Sequence, residues 1–237
     1  MKKAAILAAG EGTRLKTIEK YKPIVKINGI PLIEIIINSL KFKNFDKVSV
    51  IFNEYEKDMN IELVPGLLAP NIEYFFKTTP SSMHSLYEVV KKTSLKPGEH
   101  LFVSMVDSII APSEADKFHQ FCELLKEDES AIIVTSYIQD EKPLTLAINS
   151  QGYVIDFQCP IKEDTLITSG IYYFSENTIP ILIEMITNGN LHMRHFLKEL
   201  IDRNFKIKAF ITNKTIDIDH PQDIKTAENF LQELNIE

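Results

Sequence analysis

A run of six apolar residues at positions 4–9, AAILAA, closed by Gly10, constrains this chain more than any other stretch. A segment with no polar face has to be covered on both sides, and one this short is a strand rather than a helix. It predicts the central strand of a parallel sheet with helices packed above and below. The segments that follow agree. Leu32, Ile33, Ile36, Ile37 and Leu40 recur at helical spacing after Pro31. Strands are expected over residues 48–52, 72–76 and 101–106, the last running straight into Asp107, and Met83, Leu86, Tyr87 and Val90 mark the face of a helix between the last two. Beyond residue 110 the rhythm changes. Residues 131–138, 145–148, 154–157 and 171–174 read as strands in quick succession, with Asn149, Ser150, Gln151 and Gly152 as a hairpin turn. Helical patterns return over residues 179–186 and 193–201, followed by a strand at 207–211 and a final helix after Pro221.

The fold class expected is α/β, a Rossmann-like three-layer α/β/α arrangement with a mostly parallel, mixed central sheet. Its 237 residues suit one domain over 1–237, and no low-complexity linker divides them. Thirty-three acidic against 26 basic residues leave a formal charge of -7, with no Lys/Arg cluster dense enough to track a phosphate backbone, so nucleic acid is not an expected partner. Met1, Lys2 and Lys3 followed by an apolar run resemble the start of a signal peptide, but Gly10 and Glu11 end the run too soon. No stretch approaches the ~20 apolar residues of a membrane span. A cytoplasmic location is expected, with Cys122 and Cys159 as reduced thiols.

The loop after the first strand carries the chemistry. In LAAGEGTRL, residues 7–15, the small residues Ala8, Ala9, Gly10 and Gly12 let backbone approach a flat or charged ligand closely. The third glycine of a dinucleotide fingerprint is missing, since Leu15 stands there, and no Gly-Lys-Ser/Thr ending makes a P-loop. Arg14 and Lys22 add two cations, Arg as a planar fork for several phosphate oxygens and Lys as a movable point charge. Taken alone, the stretch reads equally as a turn with solvated cations.

Together with Lys22-Pro23 and NGIPLIE at 28–34, this loop resembles the signature of the nucleotidyltransferases that activate sugar phosphates and alcohol phosphates, closest in look to the phosphocholine and inositol-phosphate cytidylyltransferases. Three more segments carry the resemblance in order: the strand ending in Asp107, TSGIYYF at 168–174, and DIDHPQDI at 217–224. It differs in having residues 17–21, Thr-Ile-Glu-Lys-Tyr, where Pro-x-Thr is common, and Val106 and Ser108 around the acidic residue.

The resemblance implies transfer of a nucleotidyl group from a nucleoside triphosphate to a phosphorylated small molecule, with pyrophosphate released. It implies a nucleotide-binding half over about 1–110 and an acceptor-binding half over about 111–237. Arg14 and Lys22 take catalytic roles, and Leu7, Ala8, Ala9, Gly10, Glu11, Gly12, Thr13, Pro80, Ser82 and Ser85 bind the nucleotide. Asp107, Lys162, Ser169 and Gly170 meet the acceptor. Mg²⁺ is the implied cofactor, held by Asp107 with Asp219 taken ahead of Asp217. As structural alternatives, Asp217 and Asp219 are helix-entry residues, Ser85 is a simple helix cap, and Lys162 is a surface lysine. His192 and His195 read as solvated imidazoles, and Tyr172 as core. A nucleotide-binding regulator without turnover and a glycosyltransferase using a finished nucleotide sugar are the other functions this pattern admits.

Overall fold

The computed structural model describes residues 1–138 and 142–234. In chain order the first part contains β1 (Lys3–Ala8), the short strands β2 (Lys26–Ile27) and β3 (Ile30–Pro31), α1 (Leu32–Ser39), β4 (Lys47–Phe52), β5 (Ile72–Phe76), α2 (Ser82–Thr93) and β6 (His100–Met105). Then come β7 (Ser108–Ile110), α3 (Pro112–Glu123), β8 (Glu129–Thr135), β9 (Thr145–Ile148), β10 (Val154–Phe157) and β11 (Leu166–Ser175). The chain closes with α4 (Ile179–Thr187), α5 (Met193–Asp202), β12 (Lys206–Thr212), β13 (Thr215–Asp217) and α6 (Pro221–Glu233). Short 3₁₀ turns fill several connections, two of them at Thr13–Leu15 and Lys22–Ile24.

Nine strands form one sheet in the order β10-β9-β11-β6-β1-β4-β5, with β8 paired to β11 and β12 paired to β8. The apolar run lies at its centre. β1 pairs in parallel with β4 on one side and β6 on the other. Its residues alternate between two cores: Ala4, Ile6 and Ala8 face a cluster with Ile33, Ile36, Phe118 and Phe230, and Ala5, Leu7 and Ala9 face one with Met83, Leu86, Leu182 and Phe196. Both faces are sealed by helices, which is why the run has no polar position. Replacing fully buried Ile6 with Ala is expected to cost roughly 2–5 kcal/mol.

β11 runs antiparallel to β6, β8 and β9, which makes the sheet mixed. This strand is longer than the pattern at 171–174 indicates, and it changes partner along its length. Leu166 and Ile167 pair with β9, Ile171 onward pair with β6, and the register against β8 shifts between Thr168 and Tyr172. At that irregularity Gly170 takes φ +74. A Cβ there would meet Ser108 Oγ at 2.7 Å and Met105 Cγ at 2.9 Å, so glycine is needed where β11 crosses the end of β6. Consecutive strands also lie on opposite sides of β1, which opens a crevice beyond the carboxyl ends of β1 and β6. No helix among the described residues is long and apolar enough to cross a membrane.

Candidate active site

The loop leaving β1 turns under tight steric control. Gly12 adopts φ +54, and a Cβ on it would sit 2.6 Å from Lys22 Cβ. The absent side chain lets Lys22 pass directly beneath the loop. Leu15, 1% exposed, anchors the following turn in the core. The segment that departs from the common pattern is held differently: the Tyr21 hydroxyl donates to Asp58, and the Tyr21 and Tyr55 rings stack at 6.4 Å. Gly10, by contrast, has open space where a Cβ would stand.

A second device brings the acidic residues together from far apart in sequence. β7 and β13 form an antiparallel ribbon in which Asp217 stands opposite Ser108, and Ile218 N–H donates to Asp107 C=O at 3.1 Å. Asp219 therefore emerges beside Asp107. Beyond it, the Asp223 carboxylate accepts from the backbone N–H groups of Asp219 and His220 at 2.9 and 2.6 Å, fixing the entry to α6.

Lys22 Nζ stands between these carboxylates, 2.6 Å from Asp107 Oδ2 and 2.8 Å from Asp219 Oδ1. Its side chain is 8% exposed. Burial pulls the ammonium pKa down, but the charges and hydrogen bonds of Asp107 and Asp219 outweigh it and hold Lys22 above its ordinary value. Asp219 responds in the opposite sense. Burial pushes its carboxyl up, while Lys22 and then Arg14 bring it below the ordinary value. Arg14 Nη1 lies 3.9 Å from Asp219 Oδ2 and 3.3 Å from His220 Nε2, with half its side chain exposed. Two hard carboxylate oxygens thus converge on one cation. Such a donor pair fits Mg²⁺, which takes one or two carboxylates and draws its other ligands from water and substrate phosphates. Among the described residues no cluster of three or more His, Cys, Asp or Glu forms a cage of protein atoms.

Three clefts meet at this point. One of about 360 Å³ is lined by Leu7, residues 10–14, Lys22, residues 105–107 and Asp219. A second, of about 630 Å³, extends it between Leu7, residues 9–11 and Met105 on one wall and residues 78–82 with Ser85 on the other. The third, of about 330 Å³, lies beyond Asp107 and Asp219 and is walled by Ser82, Ser108, Lys142, Leu144, Thr168, Gly170, Tyr172, residues 192–194 and Asp217. Met105 lines all three.

Most of the residues singled out in the sequence line one of these clefts, and three do not. Ala8 is an interior residue of β1, 1% exposed, packed in the core. Ser169 is buried and donates its hydroxyl to Ile133 C=O, so it closes a gap in the ladder instead of facing an acceptor. Lys162 is exposed and lines none of the three clefts, as the surface alternative has it. The cations on the third cleft are Lys142 and Arg194, joined by an Arg194 Nη2 to Lys142 C=O contact of 3.4 Å, with His192 at the rim. The sequence analysis missed Lys142 and Arg194 and set His192 aside. Their one signal was position: Lys142 precedes β9, and His192 and Arg194 stand at the start of α5. Tyr172 is both core and wall: it is 4% exposed, stacks on Phe174 at 5.2 Å, and lines the third cleft. Pro80, Ser82 and Ser85 lie at the start of α2, where Ser81, through its Oγ, accepts from His84 N–H as the cap and Ser85 bonds Thr79 across the loop at 2.7 Å.

The Rossmann-like sheet thus brings the glycine loop, the buried lysine and the paired carboxylates to the crevice at which such sheets bind ligands. The chain belongs to the nucleotidyl transferase family, whose model matches residues 3–233. It is 26% identical over 239 residues to the bifunctional protein GlmU of Methanococcus maripaludis, a match that covers 95% of this chain and 53% of that protein. The chain spans about half the length of the curated relatives it first matches. A shorter stretch of 94 residues, 38% of each protein, is 33% identical to a 2-aminoethylphosphonate cytidylyltransferase of Lancefieldella rimae. Its fold is that of the inositol-1-phosphate CTP transferase from T. maritima, with a TM-score of 0.79 at 18% identity over 99% of this chain and 96% of that one.

Proposed function

We propose that the protein transfers a nucleotidyl group from a nucleoside triphosphate to a phosphorylated small molecule and releases pyrophosphate. The observation that carries this reading is the position of Lys22 between Asp107 and Asp219, where the clefts meet. The two clefts beside β1, built from residues within about 1–110 apart from Asp219, take the triphosphate. The third, built largely from residues beyond 110, takes the acceptor.

An acceptor phosphate monoester has its second pKa near ~6, so at neutral pH its oxygen is already a nucleophile and needs no general base. That oxygen attacks the α-phosphorus, the new O–P bond forms, and the bond to the β-phosphate oxygen breaks with its electron pair leaving on pyrophosphate. The protein's task is alignment and charge neutralisation between two anions. Lys22 holds α-phosphate oxygens at the junction. Arg14, half-exposed beside Asp219 and His220, neutralises the departing β- and γ-phosphates. Gly10, Glu11, Gly12 and Thr13 bring backbone to the phosphates, and Ala9, Pro80, Ser82 and Ser85 border the nucleoside. Arg194 and Lys142 draw in the acceptor, with Thr168 and Gly170 shaping its wall. Asp107 and Asp219, with Asp217 nearby, would hold Mg²⁺, which would supply further charge neutralisation for the phosphates.

The 33% identical stretch shared with a cytidylyltransferase makes CTP the first triphosphate to try and cytidylyl the group we favour. A triphosphate substrate and two cysteines without a disulfide fit a cytoplasmic location. The test is thermal unfolding with Mg²⁺ and each of CTP, UTP, GTP, ATP and dTTP in turn. A ligand at 100 times its Kd stabilises by about 2.7 kcal/mol, a rise of roughly 5–10 °C for a chain of this size. A Mg²⁺-dependent rise with one triphosphate supports the reading. No rise with any of the five, in a folded protein, removes its nucleotide half.

A further inference from the structure

The turn after β4 makes contacts that the proposed chemistry does not use. Asn53, 1% exposed, donates from Nδ2 to Ala9 C=O at 3.0 Å and accepts at Oδ1 from Thr78 Oγ1 at 2.7 Å. Ala9 and Thr78 belong to opposite walls of the 630 Å³ cleft. Two residues on, the Tyr55 hydroxyl donates to Gly10 C=O at 3.2 Å. One short turn therefore grips both sides of the cleft.

Glu56 fixes the turn itself. It is fully buried, its Oε2 accepts from Asn53 N–H at 2.9 Å, and Glu56 N–H donates to Asn53 C=O at 3.0 Å. Its Oε1 has no hydrogen-bond partner. A fully buried carboxyl with one oxygen unmatched is costly to retain, and here it does nothing except hold Asn53. Asparagine suits the position because its amide offers a donor to one wall and an acceptor to the other at once.

We propose that Asn53 is a positioning residue for the nucleotide: it touches no substrate and sets the separation of the two cleft walls through Ala9 C=O and the Thr78 hydroxyl. This rests on the reading of that cleft as the nucleotide site. Serine, threonine or aspartate at the same place serves only one wall well. Loosening the tie lets the walls drift apart and weakens nucleotide binding, whereas the alignment around Lys22, held by other contacts, is left in place.

The test uses the whole protein, Mg²⁺ and the one triphosphate of the five that most stabilises the wild type. Binding of that triphosphate is measured by calorimetry, turnover kinetics are split into KM and kcat, and hydrogen exchange is followed over residues 9–12 and 78–82 without nucleotide. Asn53→Asp keeps the shape but loses the donor to Ala9; Thr78→Val cuts the other arm and spares the buried turn. We expect Kd and KM to rise ~10-fold for Asn53→Asp and ~3-fold for Thr78→Val, with kcat within about twofold and faster exchange on both walls. A merely structural role lowers the unfolding temperature and leaves Kd unchanged well below it. Kd within twofold of the wild type in folded Asn53→Asp overturns the proposal; should that variant fail to fold, an unchanged Kd in Thr78→Val does so. If the wild type binds none of the five, the reading of the cleft falls and this proposal with it. Binding by the wild type that the variants retain sinks the proposal alone.

Discussion

The two sides of the junction are built in different ways. On the β1 side, ligand-facing groups are backbone and short side chains, fixed by close packing at Gly12 and by the buried hydrogen bonds of Asn53 and Glu56. On the β11 side, the cleft is walled by two cationic side chains, Lys142 ahead of β9 and Arg194 in the first turn of α5. The first wall suits a constant partner, the triphosphate, recognised by a fixed frame. The second suits an acceptor whose identity is set by a few replaceable side chains.

Removing the shared junction should have the largest effect. Asp107→Asn and Lys22→Met are each expected to lower turnover ~10³-fold or more with the fold intact by circular dichroism. Lys22→Met also removes the cation between the two carboxylates and leaves Arg14 beside Asp219 alone, which should lower the unfolding temperature. Millimolar Mg²⁺ should restore part of that stability, a readout independent of turnover. If Mg²⁺ does not raise the unfolding temperature of this variant more than that of the wild type, the carboxylates do not hold the ion.

Gly12→Ala comes next. Its new Cβ would collide with Lys22 Cβ and require a left-handed backbone, so a ~10- to 100-fold loss of turnover is expected, with the acceptor KM little changed. The opposite pattern belongs to the second wall. Arg194→Gln should raise the acceptor KM about tenfold and leave triphosphate binding unchanged, while Lys162→Ala changes neither by more than about twofold. Equal effects of Arg194→Gln on both substrates would erase the contrast between the walls.

Away from turnover, the β1-side frame should also show itself in stability against pH. Burial pushes the Glu56 carboxyl up to about 7, only partly offset by the Asn53 N–H. Between its ordinary value near 4.5 and about 7 the folded protein binds more protons than the unfolded chain, so stability falls as pH rises through that window. A shift of this size corresponds to up to roughly 3 kcal/mol, and Glu56→Gln should remove this part of the pH dependence. Unfolding curves of the wild type and variant at pH 5 and pH 8 check it; parallel behaviour contradicts a buried, proton-binding Glu56.

The contrast between the walls also explains what the sequence made legible. The apolar run, the glycine loop and Lys22 lie within two dozen residues, and local spacing was enough to read the parallel core and the loop's close approach. Asp219 was visible as half of an Asp-x-Asp, but its pairing with Asp107 depends on the β7–β13 ribbon, which no local pattern announces. Ser169 was assigned to the acceptor through the resemblance, yet beside the irregularity at Gly170 its hydroxyl turns into the sheet. Lys142, ahead of β9, and Arg194, in the first turn of α5, meet only after the strands and helices assemble, so spacing could not join them. Asn53 went unread for the same reason: its partners are Ala9 and Thr78, on two other loops.

If triphosphate and acceptor react across the Lys22, Asp107 and Asp219 junction, pyrophosphate release over a matrix of the five triphosphates and a panel of phosphorylated acceptors, with and without Mg²⁺, reads it out. Release is expected only when one triphosphate, a matched acceptor and Mg²⁺ are all present, and none from Lys22→Met. Release of a nucleoside diphosphate from a supplied nucleotide sugar, with no pyrophosphate from any pair in the matrix, would contradict it.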